Sequence, residues 1–72
     1  MLANLVGELA KKRITQQDLS ELLGIHRNSV ANKLFGDTSM TVKEAFAIYD
    51  AYFAGSGIDF RWLFEQAAKE SA

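Results

Sequence analysis

The chain predicts an all-α domain of about five helices, and three observations carry that prediction. Apolar residues recur at spacings of three and four along most of the sequence. No stretch alternates with a period of two, as a half-buried strand would. Gly24, Gly36, Gly55, Gly57 and capping residues (Thr, Asp) fall where the periodic stretches break, and there is no proline to interrupt a helix from within.

The elements follow in order. A first helix over about residues 2–12 places Leu2, Leu5, Val6 and Leu9 on one face. Lys11, Lys12 and Arg13 close it, where positive charge complements the helix dipole. A second helix starts after Thr15, with Asp18 in the capping-box position, and turns Leu19, Leu22 and Leu23 inward. Gly24 ends it, a residue that accepts positive φ without a Cβ penalty. A third, over about residues 27–35, has Val30 and Leu34 as core anchors and closes at Gly36.

After the polar loop Asp37-Thr38-Ser39-Met40, Thr41 and Glu44 form a second capping box. The fourth helix then extends to about Phe53, with the broad apolar set Val42, Ala45, Phe46, Ile48, Tyr49, Tyr52 and Phe53. Gly55-Ser56-Gly57 is a turn. Asp59 caps a last helix over about residues 60–69, with Phe60, Leu63, Phe64 and Ala67 inward.

Seventy-two residues make one domain, residues 1–72, with a small core. A hydrophobic content of 49% excludes a disordered chain. No apolar run approaches the roughly 20 residues of a transmembrane helix. The opening Met1-Leu2-Ala3-Asn4 lacks the basic head and apolar stretch of a secretory signal. There is no cysteine, hence no disulfide and no thiolate metal site, and the expected compartment is the cytoplasm. The net charge of −1 is not the footprint of a strong phosphate binder. Its distribution is uneven, however: residues 1–36 carry five basic and three acidic side chains, residues 37–72 three and six.

The segment over residues 16–36, QQDLSELLGIHRNSVANKLFG, carries the chemistry. It is two short helices joined by a glycine turn, and the second presents Arg27, Asn28 and Asn32 on its open side. Arginine can fork onto guanine and asparagine can pair bidentately with adenine in the major groove. The segment resembles the lambda-repressor-like helix-turn-helix superfamily, the Cro and repressor proteins of phages and their bacterial relatives. The resemblance rests on Gln16 opening the first helix, Ser20 four residues on, the turn Gly24, Ile25, the β-branched Val30, and the runs VANKLFG and MTVKEA. It covers about residues 9–53. Ser20 stands where alanine is usual, Lys33 where many members are apolar, and His26 where a Ser or Thr cap is common. Asp37 and Thr38 stand where a basic residue is frequent.

The resemblance implies a compact five-helix domain with a central helix-turn-helix. It also implies a sequence-specific DNA-binding transcriptional regulator of phage or prophage type, a repressor occupying an operator. In such a unit the second helix enters the major groove with its N-terminal residues toward base edges. That assigns base contacts to Arg27, Asn28, Asn32 and Ser29. Phosphate contacts are expected from Gln16 and Gln17 at a helix N-terminus, from His26, from Lys33 along the groove wall, and from Thr38, Ser39 and Thr41 before the fourth helix. Lys12, with Lys11 and Arg13, adds long-range attraction to the backbone.

Other chemistries find little support. His26 is the single histidine and has no cysteine or clustered carboxylates to complete a metal site. Ser20, Ser29 and Thr41 have no base beside them in sequence, so capping or packing explains them better than nucleophilic catalysis. The expectation is therefore no enzyme, no cofactor and no small-molecule ligand. Aromatic residues crowd the last third and read mainly as core. Trp62 falls opposite Phe60 and Phe64, and with Tyr52 or Ile58 it would form an apolar patch suited to homodimerisation through the fourth and fifth helices. Two recognition helices about a two-fold axis would read half-sites one DNA turn apart. The competing reading is a protein-interaction module of the same fold that binds an antirepressor, a toxin or another regulator, suggested by the acidic, aromatic-rich second half.

Overall fold

Residues 1–36 and 39–65 are described by the structure, a computed structural model, and among them every regular element is helical. Four α-helices, α1 (Ala3–Lys11), α2 (Gln16–Leu23), α3 (Arg27–Phe35) and α4 (Val42–Ile48), are followed by a π-helical turn (Tyr49–Phe53) and a single-turn α5 (Phe60–Leu63). Among the described residues no helix is long and apolar enough to cross a membrane.

Local capping sets most of these boundaries. Thr15 and Asp18 close a reciprocal capping box: the Asp18 amide donates to Thr15 Oγ1 at 3.1 Å and the Thr15 amide to Asp18 Oδ2 at 2.9 Å. Thr41 and Glu44 repeat the device at α4 with 3.1 and 3.0 Å. Asp59 Oδ2 accepts from the Trp62 amide at 2.8 Å. At the end of α1 the chain uses a Schellman closure, with the Ile14 amide donating to Leu9 O and the Arg13 amide to Ala10 O. The left-handed position falls on Arg13, at φ 59°, where glycine is the usual occupant.

The core lies where α1, α2, α3, the end of α4, the π turn and α5 converge. Leu5, Leu19, Ile48, Phe53 and Leu63 are fully enclosed, with Leu2, Leu9, Val30 and Leu34 nearly so. Each such side chain contributes roughly 1.5–3 kcal/mol of burial. The chain start is tied down directly, because the Leu2 amide donates to Leu34 O at 2.8 Å and so satisfies a carbonyl at the open end of α3.

Two elements differ from the sequence expectation. The fourth helix does not continue as α-helix to Phe53. Ile48 and Phe53, five residues apart, are both fully buried, and a π turn puts residues at that spacing on one side. The same turn leaves the Tyr49 hydroxyl donating to Ile58 O at 2.6 Å, pinning the Gly55–Gly57 loop. The fifth helix ends at Leu63 rather than near residue 69, since Phe64 leaves helical geometry at φ −99°, ψ 17°. Ala67 and Lys69 lie outside the described residues. Val42 and Phe46, expected inward, are 67% and 52% exposed.

Replacing Arg13 by glycine removes the left-handed strain, so R13G should stabilise the fold by about 1 kcal/mol, or about 4–8 °C in Tm. Lys12→Gly, one residue earlier in right-handed geometry, should lower Tm. Thermal unfolding followed by circular dichroism reads both, and a lowered Tm for R13G would contradict this account of the α1 terminus.

Candidate nucleic-acid interface

The helix-turn-helix is held by a small hydrogen-bond knot at its turn. Gly24 takes a left-handed φ of 69°, and the amides of Gly24 and Ile25 both donate to Ser20 O, at 2.9 and 3.2 Å. The Ser20 hydroxyl returns a 2.6 Å bond to Ile25 O. Ser20 is thus a clamp across the turn.

Helix α3 then begins at His26, which supplies an unusual cap: its imidazole Nδ1 accepts from the Asn28 amide at 3.0 Å. A ring accepting at Nδ1 carries its proton on Nε2, so the exposed edge of His26 presents an N–H donor outward. Val30 and Leu34 are the buried side chains of α3. By helical spacing the side opposite them holds Asn28, Asn32 and Phe35. Arg27, Asn28 and Asn32 are all exposed, and none of their side chains has a protein partner among the described residues. Ser29 is half-buried. No residue of α3 is acidic.

Phe35 is the residue that sequence reasoning passed over. It is 47% exposed and lies seven residues from Asn28, on the same side. Its spacing away from Val30 and Leu34 was the available signal. An exposed aromatic there is suited to apolar contact with a thymine methyl group.

The expected phosphate contacts divide. Gln16 is exposed at the first turn of α2, where the Gln16 and Gln17 amides are left open by the capping box. The Gln17 side chain instead donates to Glu21 Oε2 at 3.0 Å. Ser39 is exposed, whereas Thr38 lies outside the described residues. Thr41 uses its hydroxyl oxygen as the α4 cap.

Three cations of the first half have partners within the chain. Lys33 does not flank the open face, because its ammonium pairs with Glu44 Oε1 at 3.1 Å and its side chain is only 13% exposed. The pair ties the flank of α3 to the first turn of α4. Lys12 places its ammonium 5.4 Å from the centroid of the Phe53 ring, a cation–π contact at the end of α1. Lys11 pairs with Glu8 at 3.1 Å.

Glu44 joins the two parts of this arrangement. Burial alone would raise its carboxyl, but the Thr41 amide, the Lys33 ammonium and the Thr41 hydroxyl together outweigh that and hold it below the ordinary carboxylate value. The patch anticipated around Trp62 is smaller than expected. Trp62 is 43% exposed, but Tyr52 and Ile58 pack against the core. Protein-family models, curated proteins and solved structures give no match to this chain.

Two outcomes test these couplings. Ser20→Ala deletes the turn clamp and leaves Ile25 O without its donor, which should cost about 1 kcal/mol in chemical denaturation; an unchanged midpoint would refute the clamp. A folded-state pKa held down means that Glu44 stabilises the fold above the unfolded carboxylate value, near 4.3, and loses that contribution as pH falls through the lower folded value. Tm of Glu44→Gln should therefore lie below wild type at neutral pH, and the two curves should converge as pH drops below about 4. A gap independent of pH would contradict the assignment.

Proposed function

We propose that this protein is a sequence-specific double-stranded DNA-binding regulator, acting as a repressor of phage or prophage type by occupying an operator. The observation that carries the reading is the open side of α3: Asn28, Asn32 and Phe35 exposed together, opposite the buried Val30 and Leu34 and free of carboxylates, with Arg27 exposed at the helix start. Arg27 at the helix tip is the guanine reader, and Asn28 and Asn32, one turn apart, are adenine readers. Phosphate grip comes from the open amides at the start of α2, from the Nε2–H of His26 and from Ser39. The likeness of residues 9–53 to the Cro and repressor pattern supports the same reading. Its place of action is the cytoplasm of a bacterial or phage-infected cell, and no cofactor takes part.

Charge shapes how such a protein binds. Lys33 pairs with Glu44 and Lys11 with Glu8, so within residues 1–36 only Lys12, Arg13 and Arg27 stand outside ion pairs among the described residues to displace counterions. Affinity for random DNA is then weak, its salt dependence shallow, and discrimination rests on base edges.

Selection from a random duplex pool, followed by anisotropy titration, tests this. Arg27→Ala and Asn32→Ala should each cost about 1–3 kcal/mol on the selected site and relax one base position, with random DNA little changed. Equal losses on selected and random DNA would refute the base-reading role. A chain that selects no site at low salt would favour the protein-interaction reading of the same fold.

A further inference from the structure

The first turn of α3 hangs on a ring that can gain a charge. The amides of Ser29 and Val30 donate to His26 O, at 2.9 and 3.1 Å. The Asn28 amide has a different acceptor, Nδ1 of the His26 imidazole, at 3.0 Å. Hydroxyl and amide caps of the usual kind accept in that place without titrating. Imidazole accepts only while neutral, because a second proton turns Nδ1 into a donor facing a donor. Histidine in peptides takes up that proton at about pH 6.5, and His26 is exposed to solvent.

The charged side chains of the adjoining helices are engaged elsewhere or are themselves cations. On α2, Asp18 closes the Thr15 capping box and Glu21 accepts from Gln17. On α3, Lys33 pairs with Glu44, and Arg27 follows the ring directly in sequence. Lys43 completes the charged set of α4, which packs on α2. Among the described residues no carboxylate pairs with the imidazole. An imidazolium there also opposes the positive end of the α3 dipole.

We infer that His26 is a pH-sensitive latch on the first turn of α3. The neutral ring fixes the turn that carries Arg27 and Asn28. The protonated ring releases the Asn28 amide, and that turn frays. The latch is a property of the free chain; its consequence for DNA rests on the reading proposed above. Acid loosens the two base readers at the helix tip, while the imidazolium attracts any phosphate. Sequence discrimination therefore falls between about pH 8 and about pH 5, and binding to random DNA rises.

Comparison of wild type with His26→Ser, a cap that does not titrate, and His26→Ala, which has none, tests the latch. Tm of wild type should match the serine chain at about pH 8 and approach the alanine chain at about pH 5. Differences between the chains cancel the titration of every other group. Protection of the Asn28 amide against exchange should drop about fivefold across that range in wild type, the size of a lost cap, and stay level in the serine chain. Imidazole nitrogen shifts at the higher pH should report an unprotonated Nδ1, a readout needing no substitution. The ratio of affinities for a selected and a random duplex should fall at least about threefold in wild type and hold steady in the serine chain. A proton on Nδ1 at the higher pH, Asn28 protection indifferent to pH, or a wild type that tracks the serine chain throughout would overturn the latch. An unchanged ratio with the cap released would overturn its consequence for DNA. Selection of no duplex, with the free-chain readouts as stated, would uphold the latch and count against the DNA reading.

Discussion

The structure depends on two side chains of a nine-residue helix, Val30 and Leu34, being drawn into the core. A helix this short is not stable in water by itself, so its existence and its orientation come from packing. Four-residue spacing places both anchors on one narrow stripe, which turns Asn28, Asn32 and Phe35 outward without any further instruction. Large-to-small change at either anchor would act on the core and on the proposed DNA-reading surface together.

Burial of two side chains leaves a short helix free to roll or slide, and three polar contacts remove that freedom. The Leu2 amide on Leu34 O ties the end of α3 to the chain start. The Ser20 hydroxyl on Ile25 O fixes the turn at its beginning. The Lys33–Glu44 pair joins its flank to α4. Glu44 serves two of these demands at once, since the carboxylate that caps α4 also receives the ammonium from α3. An isolated ion pair of this kind adds little stability; its geometric effect, in fixing one helix against another, is the larger one. It also withdraws a positive charge from the surface.

What was legible in the sequence was what is local. The caps at Thr15, Thr41 and Asp59 reach three residues, Gly24 acts on its own φ, and the anchors Val30 and Leu34 follow from spacing alone. The exposure of Asn28 and Asn32 came with them. What depends on a distant partner was not legible. The π turn exists because Ile48 and Phe53 both enter the core, a fact of packing rather than of pattern. Phe46 and Val42 looked inward by hydrophobicity, yet both remain exposed, Phe46 with its ring against Phe60. Lys33 looked like a groove-wall cation until Glu44, eleven positions along, proved to face it. His26 as a cap and Arg13 as a left-handed residue replace the types normally found in those roles, so sequence preference pointed away from both.

The central claim is that the outward side of α3 is the surface that meets a duplex. Titration of the isotopically labelled chain with a duplex drawn from a random-pool selection, at low salt, tests it most directly by mapping which resonances move. The account predicts the largest changes at the side-chain amides of Asn28 and Asn32 and the guanidinium of Arg27, with the open amides of Gln16 and Gln17 following. Changes concentrated on the outer side of α4, or a spectrum that DNA leaves untouched, would contradict it.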